Sequence, residues 1–126
     1  MRRLIGLGML TLVCLSIGCA AEQPLVRKEN TGKVDVYIIA TPGGRSSHTV
    51  VSIQSFPTVL EVTRRAAGVQ TVMNANGEEW PVVIDGGVQN VAAGRVWTYE
   101  LNNGYPNVAP NLKHLSDGDV LVWRLE

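Results

Sequence analysis

A single stretch of this chain, TVLEVTRRAAG from Thr58 to Gly68, carries a helical pattern, and strand signals surround it on both sides. Thr58 and Glu61 have the spacing of a capping box, in which the threonine caps the first turn and the glutamate reaches back to it. Val59, Val62 and Ala66 fall on one face, with Leu60, Thr63 and Ala67 beside it. Arg64 and Arg65 come late, where positive charge suits the C-terminal end of the helix dipole. Gly68 is expected to supply a left-handed stop. A domain with one short amphipathic helix must cover that helix's apolar face with sheet, which confines the fold to a small set of α+β architectures.

The strands are legible from alternation and β-branched content. VDVYIIA (34–40) and HTVVSIQSF (48–56) flank the turn-forming TPGGRSS and form a first hairpin. After the helix come VQTVM (69–73), the turn NANGEE, and WPVVI (80–84), which ends at Asp85-Gly86-Gly87. RVWTYEL (95–101) alternates cleanly, with Trp97, Tyr99 and Leu101 on one face and Val96, Thr98 and Glu100 on the other. Asn102-Asn103-Gly104 makes a tight turn of residues that tolerate positive φ. VLVWRLE (120–126) closes the chain after the turn Ser116-Asp117-Gly118-Asp119. Two strands, a helix and several more strands predict a β-grasp fold. A mixed sheet of four to six strands would pack on the helix at about residues 58–67.

The first nineteen residues, MRRLIGLGMLTLVCLSIGC, are laid out as an export signal: a charged start, an apolar middle and a small-residue ending. The apolar run, Leu4 to Ile17, is shorter than the roughly 20 residues a membrane-spanning helix needs. LSIGC resembles the bacterial lipobox, which implies cleavage after residue 18 and acylation of Cys19 as the mature N-terminus. The alternative is an ordinary secretory cut near Ala20-Ala21 that discards Cys19. In the lipobox case Cys14 leaves with the signal and Cys19 is acylated, so neither is left for a disulfide or a metal. Residues 19–33 then form a polar tether, and the domain runs from Val34 to Glu126. The expected location is the bacterial cell envelope, on the periplasmic or cell-surface side of a membrane.

Eleven basic and eleven acidic residues in the whole chain become nine and eleven once Arg2 and Arg3 leave. No basic cluster stands out, so nucleic acid is not an expected partner. Asp85-Gly86-Gly87 and Asp117-Gly118-Asp119 lack the ordered ligand series of a calcium loop and read as turns. Gly43-Gly44-Arg45 lacks the Lys-Ser/Thr of a phosphate loop. His48 and His114 sit in no nucleophile or metal motif, and the nearness of His114, Ser116 and Asp117 is ordinary loop polarity. No catalytic residue, resident cofactor or metal site is expected, and the chain reads as a non-catalytic binding module. Trp97 and Trp123 lie on strands, where tryptophan more often fills a core than faces a ligand. Trp80 stands before Pro81 at a strand start and suits a rim. Tyr105, just past the Asn-Gly turn, is the aromatic most exposed to a ligand.

TVLEVTRRAAG, WPVVIDGGVQN, GRVWTYELNNG and LSDGDVLVWRLE, in that order, resemble the bacterial transcobalamin C-terminal-like family. That family is a β-grasp domain related to the soluble-ligand-binding β-grasp group, and the resemblance covers almost all of residues 34–126. The hairpin departs from the family pattern: ELNNG holds one residue more before its glycine. In the vitamin B12 carriers of the wider family the matching domain covers one face of cobalamin while a larger helical domain holds the other. The resemblance implies a cobalamin or other corrinoid ligand and contacts from Trp80, Trp97, Tyr99, Asn103 and Tyr105. Two other partners stay open at this stage: an envelope protein docked on a sheet edge or on the hairpin, or a polysaccharide stacked on exposed aromatics. A Cys19→Ser variant expressed in a bacterial host is expected to lose all incorporation of labelled palmitate and to remain unprocessed, as read by gel fluorography.

Overall fold

The computed structural model describes residues 31–40 and 45–126. The export signal, Cys19, the tether up to residue 30 and the loop at 41–44 lie outside the described residues. The elements are β1 (Gly32–Ile39), β2 (Ser46–Ile53), α1 (Val59–Ala66), β3 (Val69–Met73), β4 (Glu79–Ile84), β5 (Gly87–Val88), a short 3-10 turn (Val91–Ala93), β6 (Trp97–Leu101) and β7 (Val120–Leu125). β1 thus begins at Gly32, two residues before the Val34 expected from the sequence.

Four strands form a mixed sheet in the order β2-β1-β7-β6. β1 is antiparallel to β2 and parallel to β7, so the first and last strands of the domain lie side by side at the sheet's centre. That arrangement, closed by the antiparallel β6–β7 pair, is the β-grasp plan. β3, β4 and β5 make a second, smaller sheet. The seven strands therefore split between two sheets, whereas the sequence suggested a single one. The register shifts between Gln70 and Thr71 opposite the Pro81 region, and β5 is only two residues long. A short second sheet with a bulge and a central proline, which donates no ladder bond, has little capacity to extend the first.

Period-two alternation explains the core. Val34, Val36, Ile38 and Ala40 are fully buried, as are Leu121 and Trp123 on β7, while Asp35 and Tyr37 point to the other face. Trp97, Tyr99, Leu125, Val51 and Ile53 extend the same buried layer, and α1 adds Val59 and Val62. The capping box forms as expected: Glu61 N–H donates to Thr58 Oγ1 (3.1 Å) and Thr58 N–H donates to Glu61 Oε1 (2.8 Å). The C-terminus departs from expectation. Gly68 is not left-handed; Ala67 is already extended (φ −159°, ψ 167°) and the chain passes directly into β3. A left-handed stop would turn the chain away, whereas an extended one lets the Gly68 carbonyl accept the Asp85 N–H across the β3–β4 ladder (2.9 Å).

Thr63 joins helix to sheet. Its hydroxyl donates to the Val59 carbonyl (2.7 Å) and accepts the Trp123 indole N–H (2.8 Å), with both side chains wholly buried. Replacing Thr63 with valine keeps the volume but leaves the indole donor without a partner, a loss of about 1–3 kcal/mol. Urea unfolding of Thr63→Val is expected to show that loss as a lower midpoint with an unchanged slope.

Candidate functional site

β6 is an edge strand, and its main chain explains what that edge offers. Val96 and Glu126 exchange both of their backbone bonds. Alternation then turns the main-chain groups of Thr98 and Glu100 toward β7 and those of Trp97, Tyr99 and Leu101 toward the open side. Half of these six outward groups are already used. Leu101 and Gly104 exchange bonds (2.7 and 3.0 Å) across the turn, and Trp97 N–H donates to Gln89 Oε1 (3.4 Å). The N–H and C=O of Tyr99 and the C=O of Trp97 have no hydrogen-bond partner among the described residues.

Beside this edge lies a hollow of about 180 Å³ lined by Trp80, Trp97, Thr98, Tyr99, Tyr105 and Pro106. Trp80 enters from the start of β4, Trp97 to Tyr99 come from β6, and Tyr105 and Pro106 follow the turn after β6. Trp97 and Tyr99 are nearly fully buried and form the floor, while Tyr105 is 68% exposed at the rim. The structure thus brings Trp80, Trp97, Tyr99 and Tyr105 around one hollow. Asn103 is not on its lining. It is an exposed turn residue at φ 71°, next to Asn102 at φ 52°, and these two form the centre of the Leu101–Gly104 turn. The positive-φ pair is therefore Asn-Asn, one residue earlier than an Asn-Gly turn would place it. Asn102 fixes the turn by accepting the Val120 N–H at Oδ1 (2.8 Å) and donating from Nδ2 to Asp119 (2.9 Å).

The floor is held by its own polar atoms. Trp97 Nε1 donates to the Gly87 carbonyl (3.0 Å), and Gly87 is glycine for a steric reason. A Cβ there would meet Trp97 Cζ2 at 2.9 Å and Ala40 Cβ at 3.0 Å. Tyr99 hydroxyl donates to the Val108 carbonyl (2.6 Å), and burial pushes its phenol up to about 12. Trp123 supports both rings from behind, edge-on to Trp97 at 6.5 Å and tilted against Tyr99 at 5.1 Å.

The rim is polar. Tyr105 hydroxyl donates to Glu100 Oε2 (2.8 Å), and the same oxygen accepts Arg124 Nε (3.1 Å). The Tyr105 hydrogen bond, with help from Arg124, lowers the Glu100 carboxyl below its ordinary value. The Glu100 carboxylate in turn raises the Tyr105 phenol. One ion pair thus positions an exposed ring beside the hollow.

Thr98, Pro106, Gln89 and Val108 were not singled out from the sequence, and Gly87 was read there only as part of a turn. Their places depend on which elements meet β6, which leaves no local mark. The histidines are elsewhere. His48 stacks on Tyr37 (4.2 Å, 6° between planes) and bonds Asp35 (2.8 Å), while His114 Nδ1 donates to the Phe56 carbonyl (2.7 Å). Asp117 accepts the Lys33 N–H (2.9 Å) and Asp119 accepts the Ser116 N–H (2.8 Å), so these carboxylates serve turns. No group of three or more His, Cys, Asp or Glu side chains is gathered for a metal among the described residues.

No family model matches the chain, and no curated protein matches it. Solved structures do. A candidate metal-binding protein from Ruminococcus gnavus superposes with a TM-score of 0.61 at 16% identity, over 75% of this chain and 96% of that one. Haptocorrin in complex with Cbi superposes with a TM-score of 0.68 at 14% identity, over 79% of this chain and 26% of that one. The chain thus spans about a quarter of haptocorrin's length. At these identities the likeness is one of fold.

Tyr99 and Tyr105 yield a prediction in alkali. A phenol raised in the folded state stays protonated where the unfolded chain has begun to ionise. The contribution of Tyr99 to stability is therefore intact below its ordinary value of 10.0 and is lost as pH climbs toward about 12. Ultraviolet titration is expected to show the Tyr99 transition delayed toward about 12, and Glu100→Gln is expected to bring the Tyr105 transition down in pH while leaving Tyr99 in place.

Proposed function

We propose that this chain is an exported, lipid-anchored and non-catalytic binding domain whose small-molecule ligand docks at the β6 hollow, with a corrinoid such as cobalamin as the ligand class. It would stand in the bacterial cell envelope, tethered to a membrane through acylated Cys19. The single observation that carries the binding site is the enclosure of one hollow by Trp80, Trp97, Tyr99 and Tyr105 beside the unpaired Tyr99 main chain. Apolar walls with a few fixed polar groups are the usual makeup of a ligand site. The corrinoid assignment rests on the sequence resemblance, and the fold likeness to haptocorrin, which holds a cobalamin analogue, agrees with it.

Size limits the role. Sites that enclose a drug-sized ligand measure roughly 300–1,000 Å³, and this hollow measures about 180 Å³. It takes one edge or arm of a macrocycle and leaves the rest exposed. The remaining surface of the ligand is covered by another protein or domain, so the affinity of this chain alone is modest.

The test is titration of the full chain in detergent with cobalamin, read by tryptophan fluorescence. Saturable quenching is expected. Trp80→Ala and Tyr105→Ala, which remove rim rings and spare the buried floor, are each expected to weaken it by about tenfold, the scale of one aromatic contact. No quenching at high micromolar cobalamin removes the corrinoid reading for the isolated chain. Quenching by oligosaccharides in its place would transfer the same rim to sugar stacking.

A further inference from the structure

The two edges of the mixed sheet are treated differently. At β6, Gly104 occupies both outward groups of Leu101 and Gln89 the N–H of Trp97, which leaves the Trp97 carbonyl and Tyr99 open among the described residues. At β2 it is not. Ala40 N–H donates to the Arg45 carbonyl (3.2 Å), which sets the alternation of the β1–β2 ladder. Ser47, Thr49 and Val51 therefore face β1, and Ser46, His48, Val50 and Ser52 turn their N–H and C=O groups outward. Among the described residues only the Ser52 carbonyl is engaged, by Arg65 Nη1 (3.2 Å). The outward main-chain groups of Ser46, His48 and Val50 have no partner among the described residues.

Natural edges of this length are usually blunted by lysine, proline, a bulge or an inward charge. β2 runs eight residues in unbroken register and holds none of these: SSHTVVSI carries no lysine, arginine, aspartate, glutamate or proline. Val50 is 52% exposed, on the same face as the stacked Tyr37 and His48 rings.

We propose that β2 is a self-association edge, with two copies of the chain pairing β2 against β2, antiparallel, about a two-fold axis at Thr49. The register is set by the exposed Val50, which it places against the ring stack of the second copy. With Thr49 on the axis, His48 of one copy lies opposite Val50 of the other, where the open groups meet in bonded pairs, and Ser46 lies opposite Ser52, whose N–H is open and whose carbonyl already accepts Arg65 Nη1. Thr49 meets its own equivalent, a favourable cross-strand pair. Each Val50 is covered by the His48–Tyr37 stack of the second copy. No charged side chain of one β2 is set against a like charge of the other, and a strand of this composition is its own complement under a two-fold. The pair joins two mixed sheets into one continuous sheet and leaves both β6 hollows at its far ends.

A strand-edge contact falls short of the roughly 1,000 Å² expected of a stable interface, so the pairing is transient and covalent trapping is the suitable probe. A non-bonded antiparallel pair brings Cα atoms to about 4.5 Å, within the range a disulfide spans. The full chain carrying Cys14→Ser and Cys19→Ser is placed in detergent under mild oxidation, with Thr49→Cys as the probe and Glu78→Cys, in an exposed turn, as the control. Thr49→Cys is expected to form a covalent homodimer at least about tenfold faster than Glu78→Cys. Adding Val50→Lys or Ser46→Lys, each an exposed edge charge, is expected to return the rate to the control level. The near-ultraviolet tryptophan signal reports that each variant is folded. Equal rates for Thr49→Cys and Glu78→Cys, trapping that survives both lysines in folded protein, or an adduct to a different protein would overturn the assignment.

Discussion

Trp123 is the side chain on which the rest of the molecule leans. It is wholly buried on β7, the strand that lies between β1 and β6. Its indole N–H must find an acceptor there, because a buried donor without one costs more than the bond itself contributes. Thr63 supplies it, and in doing so fixes the helix to the sheet at one point and in one rotation. The buried face of α1 and the parallel β1–β7 pair, in which Trp123 lies beside Ile38, meet at that contact. Large-to-alanine truncation of a buried tryptophan costs about 3–5 kcal/mol, a large share of the stability of a small domain.

The same ring prepares the hollow. Trp97 and Tyr99 rest against Trp123 and are each anchored by a hydrogen bond to a carbonyl, Gly87 for one and Val108 for the other. Their orientation is therefore settled by folding, so a ligand of the kind proposed would meet them already ordered, which is the physical content of preorganisation. The rim is made differently. Tyr105 is exposed and held by one hydrogen bond to Glu100, whose pair with Arg124 is part-buried. A single bond from an exposed hydroxyl exchanges readily with water. A rigid aromatic floor with an adjustable tyrosine rim suits a ligand whose one edge is bound tightly in shape and loosely in detail.

The fold was largely legible because its signals are local. Alternation in VDVYIIA and RVWTYEL located β1 and β6, and the Thr58–Glu61 spacing located the start of α1. The helix's end was not legible, since Gly68 is as compatible with an extended exit as with a left-handed one, and the β3–β4 ladder decides. The division into two sheets was also hidden, because it depends on which strands meet and not on what any strand contains. Four aromatics expected near a ligand do gather at one hollow: Trp80, Trp97, Tyr99 and Tyr105. Asn103 does not, because its positive φ commits it to the turn. Thr98 and Pro106 were missed for the same reason that β6 was not recognised as an edge: an edge is a property of the neighbours a strand lacks.

That property separates the two sides of the mixed sheet. At β6 the chain folds back on itself, and Gly104 and Gln89 occupy main-chain groups that would otherwise accept a foreign strand. What remains, the Tyr99 groups and the Trp97 carbonyl, is framed by rings, a shape that suits a compact ligand better than a long strand. At β2 the opening runs from Ser46 to Val50, with small or β-branched side chains at most positions and no charge to repel a neighbour. A strand fits there and a compact ligand does not, because nothing encloses it. The two openings differ in enclosure and in length, so occupation of one neither requires nor blocks occupation of the other.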